Sequence, residues 1–175
     1  MKNLLYCASL LFCVALSSCD KDEPGNTAAV ELGGQWTVTV DAVDENGDLV
    51  YSDDELWGLG HFMLLTYNTA ANTSDEIFIN DLQNFWDFQV RVSSDVKSLT
   101  FSTAGEAVEN YDGACNIVIE DGQILKGAAT TPSGMPADSI SFYVSFDDDP
   151  YPASYGYAKY HIAGYRYTGF SADEE

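Results

Sequence analysis

Apolar and polar residues alternate with a period of two along most of this chain. Trp36, Val38 and Val40 alternate with Gln35, Thr37 and Thr39; Ile140, Phe142, Val144 and Phe146 alternate with Ser139, Ser141, Tyr143 and Ser145. Successive side chains of a strand point to opposite faces, so this pattern predicts strands buried on one face. Further strands are predicted at 61–67, 76–80, 86–92 and 99–102, and a long last strand over 157–170. Strands at 115–120 and 123–128 flank Asp121-Gly122, a two-residue hairpin signal, and Asn46-Gly47 marks another tight turn. No long segment carries the 3.6-residue helical period; residues 81–86 leave room for a short turn of helix. Eight or nine short strands predict an all-β fold, an antiparallel sandwich or barrel, and the mostly short links favour an antiparallel up-and-down β-barrel of about eight strands.

The faces predicted to point inward collect Trp36, Val38, Phe62, Leu64, Phe88, Val90, Phe101, Phe142 and Val144. An eight-stranded barrel encloses room for its own side chains or for one small ligand. This apolar, aromatic set therefore describes either the lining of a site for a small hydrophobic, lipid-like ligand or an ordinary packed core. Tyrosines 151, 155, 157, 160, 165 and 167 crowd the C-terminal quarter. A phenol offers a flat apolar face and a hydroxyl, which suits sugar stacking or a protein interface, although tyrosine also simply favours strands.

The strand pattern does not extend to the N-terminus. Lys2, an apolar stretch from Leu4 to Leu16 and the run Leu16-Ser17-Ser18-Cys19 form a bacterial lipobox, and the stretch is too short for a membrane span. The expected organisation is a signal peptide over 1–18, a lipidated Cys19 with a flexible tether over 19–30, and the barrel over 31–175. The run Asp20-Lys21-Asp22-Glu23 resembles the export signal of Bacteroidetes-type surface lipoproteins. That implies an outer-membrane protein exposed at the cell surface, with the membrane as its partner through lipid on Cys19. The chain holds 28 acidic and 7 basic residues, a net charge of −21, which repels nucleic acid and anionic lipid surfaces. With Cys7 and Cys13 in the signal and Cys19 acylated, Cys115 has no partner in its own chain, so no disulfide framework is expected.

Little in the remaining sequence carries chemistry. A G-x-S-x-G elbow is absent; serines are plentiful and His61 or His161 could serve one, but almost any chain with two histidines reads that way, and His161 alternates onto the face opposite Ile162. Asp44-Glu45-Asn46-Gly47-Asp48 departs from a calcium loop, with Ala42 where the first ligand would stand and Asp53 at the twelfth position, and reads as a hairpin turn. Asp147-Asp148-Asp149 reads as a solvated loop. Glycosidase chemistry needs two carboxylates at a fixed separation, and so acidic a chain singles out no pair. No catalytic residue, metal site or cofactor is assigned. Asp138-Ser139-Ile140 fits a short O-glycosylation pattern of exported Bacteroidetes proteins.

Gly34-Gln35-Trp36 matches the G-x-W opening of lipocalin-like, or calycin, barrels. In such barrels an arginine of the last strand packs on that tryptophan and closes the barrel end. Arg166 stands in the last predicted strand, so an Arg166–Trp36 stack is expected. The C-terminal run from His161 to Phe170 contains Gly164-Tyr165-Arg166-Tyr167-Thr168-Gly169-Phe170. It resembles the lipid-binding putative hydrolases of Bacteroidetes lipoproteins, which end in G-Y-R-x-T-G-F followed by acids, here Asp173, Glu174 and Glu175. Tyr167 departs from that family, where a second basic residue is expected. The resemblance implies a lipocalin-like barrel on a lipoprotein and transfers no catalytic site. The leading expectation is a non-enzymatic surface lipoprotein that binds a small hydrophobic ligand. The alternatives are an accessory glycan-binding or interaction protein of an outer-membrane uptake system and, behind it, a lipid or ester hydrolase.

Overall fold

The computed structural model describes residues 25–173; the lipobox, Cys19 and the charged run after it lie outside the described residues. Ten strands appear in chain order: β1 (Gly34–Val43), β2 (Leu49–Tyr51), β3 (Phe62–Asn68), β4 (Glu76–Asn80), β5 (Gln89–Asp95), β6 (Thr100–Ser102), β7 (Val108–Glu109), β8 (Asn116–Thr130), β9 (Pro136–Phe146) and β10 (Lys159–Arg166). Two single-turn helices, α1 (Asp53–Leu56) and α2 (Pro152–Tyr155), sit in loops. Eight strands pair antiparallel in the circular order β1-β3-β4-β5-β6-β8-β9-β10, and β10 returns to β1. That closes an eight-stranded up-and-down barrel with no free edge. Strand β2 folds back on the end of β1, and β7 pairs with the start of β8.

Closure depends on Gly164. It faces Val38 across the β1–β10 seam, and a Cβ there would lie 2.0 Å from the Thr37 carbonyl oxygen. Only a residue without a side chain lets the two strands approach that closely.

Two local expectations fail, for identifiable reasons. Asp121-Gly122 is not a hairpin: β8 runs straight through it, with the register to β9 shifting between Glu120 and Gln123. Asp121 takes a left-handed φ of 51°, and Gly122 lies so close to Phe101 that a Cβ would come within 2.2 Å of its ring. The dipeptide thus makes a bulge that bends β8 against β6 rather than a turn that ends it. Residues 81–86 form no helix. Leu82 and Gln83 have φ of 54° and 64°, and the loop is wound about the buried Asp81 carboxylate. The predicted strand at 86–92 accordingly starts later, at Gln89, and the last strand ends at Arg166 instead of Phe170.

The two barrel ends differ. At one, residues 28–32 turn inward and bury Ala29 and Leu32, so packing reaches back to residue 29. Arg166 and Trp36 lie there too: the guanidinium sits 4.3 Å from the indole centroid, with Nη1 donating to the Gly33 carbonyl (2.8 Å) and Nε to Asp138 (3.1 Å). The indole N–H donates to Thr66 Oγ1 (2.9 Å), whose hydroxyl donates to the Leu32 carbonyl (2.6 Å). The opposite end is a mouth framed by the β1–β2, β2–β3, β4–β5 and β9–β10 connections.

Candidate functional site

The predicted lining residues all face inward and belong to one buried cluster. Phe62 retains 8% exposure and Phe101 3%, while Trp36, Val38, Leu64, Phe88, Val90 and Phe142 have essentially no accessible surface and Val144 only 1%. No water-sized void touches those six side chains. In this structure they form the packed floor beneath the mouth.

The mouth itself is aromatic, and acids set it in place. The β4–β5 loop folds inward because both Asp81 carboxylate oxygens accept backbone N–H groups: Gln83 (3.0 Å) and Phe88 (2.9 Å) on one, Phe85 (3.0 Å), Trp86 (2.8 Å) and Asp87 (3.1 Å) on the other. A carboxylate gathering five donors compensates its own burial and fixes the loop. Phe85 then lies edge-on to Tyr160 at 5.0 Å, and Trp86 stacks on Phe146 at 4.7 Å. These two rings plug the barrel.

Asp147, Asp148 and Asp149, expected as a solvated run, each hold a different part of the mouth. Asp147 accepts the backbone N–H and side-chain amide of Asn116 (2.8 and 2.7 Å), and those bonds hold its pKa below the usual carboxylate value. Asp148 accepts the Trp86 indole N–H (3.0 Å). Asp149 accepts the Tyr157 and Tyr160 hydroxyls (2.9 and 2.8 Å), which lie 2.5 Å apart, and the Tyr151 N–H (3.0 Å). Burial, reinforced by the Asp149 charge, pushes both phenols well above the ordinary tyrosine range. The tyrosine-rich quarter therefore divides: Tyr157 and Tyr160 are buried, while Tyr151, just before α2, and Tyr155, at its end, stand exposed.

Across the mouth, α1 begins at a capping box in which Ser52 and Glu55 satisfy each other's ends. Asp53 is buried and accepts the N–H groups of Leu59 (3.0 Å) and Gly60 (2.7 Å). These bonds shape the loop after α1 and present Trp57, 37% exposed, edge-on to Phe85, Trp86 and Tyr151 at 6.4, 6.2 and 5.7 Å. Glu55, Leu56, Trp57, Tyr151 and Tyr155 line a groove of about 270 Å³. Trp57, Leu59, Leu82 and Asp81 escaped the sequence reading because they lie between strands, where period-two alternation is silent. The one available signal was Trp57-Gly58-Leu59-Gly60, large apolar residues among glycines.

The remaining candidates are apart from the mouth or already committed. Ser141 Oγ lies 2.9 Å from His161 Nε2 on the outer barrel wall, and burial lowers the His161 pKa while Asp41 opposes that shift. His61 is exposed beside Tyr165. Asp44 is a turn acceptor for the Asn46 and Asp48 N–H groups (2.8 and 2.9 Å), as a hairpin requires. Cys115 is buried, its thiol pushed up in pKa by burial, and it lies near Asp147 and Asp148. Their carboxylates already bind Asn116 and Trp86, and a protonated thiol is a poor metal ligand. Among the described residues no helix is long and apolar enough to cross a membrane.

No curated protein sequence matches the chain. Residues 21–171, the barrel with the stretch leading into it, match the family described as lipid-binding putative hydrolase. On that match, and with the closed barrel it accompanies, the chain belongs to the lipid-binding putative hydrolase family.

Proposed function

We propose that this protein is a lipoprotein of the outer-membrane surface that takes a small hydrophobic, lipid-like ligand at the barrel mouth and performs no chemistry on it. The observation that carries this reading is the exposed aromatic groove standing on a filled barrel. Trp57, Tyr151 and Tyr155 are 37–48% exposed, and Leu59 and Leu82 stand on neighbouring mouth loops at 40% and 43%. Water contact with so many large apolar groups in one place is costly unless something covers them. The lipid-binding family supports the ligand class. The lipobox ending at Cys19 and the acidic run after it support the anchor and the address.

The test is native mass spectrometry of the protein purified from its own cells, together with titration of the delipidated protein with a fluorescent hydrophobe. The expected result is a co-purifying lipid and saturable binding that Trp57→Ala weakens at least tenfold. An empty protein that does not bind the probe refutes the reading. Protease treatment of intact cells tests the address, because a surface domain is cut and a periplasmic one is spared.

One observation favours a hydrolase, the Ser141–His161 contact. The geometry around it does not. Ser141 is paired on both sides, with Gln123 of β8 and Ala163 of β10. Ser141 thus stands in the middle of a strand within the sheet, unlike the exposed strand-to-helix turn that presents a serine nucleophile. A fluorophosphonate probe is expected to leave Ser141 unlabelled; labelling that His161→Ala abolishes would reverse this assignment.

A further inference from the structure

The groove at the mouth has a more specific chemistry than hydrophobicity. Its walls are three aromatic rings set steeply to one another: Trp57 and Tyr151 at 68°, Tyr151 and Tyr155 at 76°. Tyr51 adds a fourth ring behind Tyr155, at 6.3 Å. Glu55 lines the same groove, and its carboxylate, which accepts the Ser52 N–H and hydroxyl, brings negative charge to it. Asp53 and Asp54 flank it on α1, and Asp147–Asp149 stand on the facing loop.

Cations are scarce on this side. The described basic residues are Arg91, Lys97, Lys126, Lys159 and Arg166. Lys126 and Arg166 belong to the closed end, paired with Glu31 and Asp138; Lys97 lies in the β5–β6 turn at that same end; and Arg91 pairs with Glu76. Lys159, the cation on a mouth-side strand end, is bound to Glu120 at 2.9 Å and covered by the Tyr143 ring. The groove therefore offers aromatic rings and negative charge, and among the described residues no free cation stands beside it to meet an anion. Aromatic faces attract cations through their quadrupoles, and several faces around a weakly hydrated quaternary ammonium do so without requiring a directed hydrogen bond. A free carboxylate or phosphate monoester would meet only repulsion.

We infer that the groove formed by Glu55, Leu56, Trp57, Tyr151 and Tyr155 is an aromatic cage for the quaternary ammonium head of an amphiphile that carries no net negative charge. The apolar chain of that amphiphile lies over Trp57 toward Phe85 and Trp86, the rings in contact with it. This assignment rests on the reading that the mouth takes a lipid-like ligand, and it adds the sign and type of the headgroup.

Calorimetric titration below micelle-forming concentrations tests it, using the full mature chain from residue 19 with Cys19→Ser so that no acyl group competes. Dodecyltrimethylammonium, laurate and dodecyl maltoside share a chain and differ in head; tetramethylammonium carries the head alone. Dodecyltrimethylammonium is expected to bind at least tenfold more tightly than laurate or dodecyl maltoside, and tetramethylammonium at least tenfold more weakly. Trp57→Ala and Tyr155→Ala leave the net charge untouched, so their loss of the preference separates the cage from general attraction to an acidic protein. A preference that survives both variants overturns the cage. Laurate binding as tightly as the cation overturns the headgroup assignment and leaves the lipid-binding reading standing. Dodecyl maltoside binding tightest overturns it in favour of a sugar, and tetramethylammonium binding as tightly as its dodecyl analogue overturns the amphiphile. Binding of none of the four removes the lipid-binding reading as well.

Discussion

Arg166 carries several functions at once at the closed end. It lies over Trp36, donates to the Gly33 carbonyl and pairs with Asp138, tying the last strand to the first, to the segment before it and to β9. A cation–π contact contributes about 0.5–2 kcal/mol and each hydrogen bond about 1. Arg166→Ala is therefore expected to cost about 2–3 kcal/mol, read as a lower thermal midpoint; an unchanged midpoint would mean the barrel closes without it. The buried pair Tyr157 and Tyr160 makes a pH-dependent contribution of defined sign. Their folded pKa values are raised above the unfolded value of 10.0, chiefly by burial. The native state thus keeps protons that the unfolded chain gives up once the pH exceeds 10. Their stabilisation is complete below that pH and is lost progressively above it. An ultraviolet titration should show two phenols ionising only as the domain unfolds, and Tyr160→Phe should make the alkaline loss shallower. Early ionisation of all the tyrosines would contradict the burial of this pair.

Among the elements, strands were the legible part and loops were not. Periodicity located β1, β4, β9 and β10 because each buries one face against a continuous core, which imposes alternation residue by residue. It misread Asp121-Gly122 because a dipeptide that permits a turn permits a bulge equally well; the choice is made by Phe101 on a neighbouring strand, and that contact is non-local. It missed the β4–β5 loop because the organising interaction is one carboxylate gathering donors from the next seven residues, a pattern with no period. Two variants measure these elements. Gly164→Ala forces a Cβ against the Thr37 carbonyl and must open the β1–β10 seam, so a loss of about 3 kcal/mol or more is expected, seen as a barrel that melts early or fails to fold. Asp81→Ala strands the N–H groups of the loop, some of them buried, and should cost about 3 kcal/mol. It should also free Phe85 and Trp86 from the barrel, giving red-shifted tryptophan emission and stronger binding of an apolar dye. Blue, unchanged emission would show that the rings hold the loop and not the reverse.

At the scale of the whole molecule, alternation decides fold class but says nothing about whether a barrel is hollow, since the same inward residues describe a core and a lining. The complete burial of the inward side chains and the Phe85–Trp86 plug bear on that, and they place the exposed candidate groove at the mouth. Charge acts globally as well. At −21 the chain repels itself in every compact state, and among the described residues few carboxylates have a basic partner; others are held instead by backbone N–H groups, as at Asp44, Asp81 and Asp53. Such bonds anchor individual loops but do not neutralise the total. Long-range repulsion is screened as the Debye length falls from about 30 Å at 0.01 M salt to about 8 Å at 0.15 M, whereas bonds at 3 Å are barely affected. If the repulsive sum outweighs the few ion pairs, sodium chloride between these concentrations must stabilise the fold, by about 1 kcal/mol or roughly 3 °C in thermal midpoint. The four ion pairs of the described residues have at least one partially exposed member each, so their loss on screening is small. A midpoint that falls with salt would reverse that balance and make those pairs, not burial, the electrostatic support of the barrel.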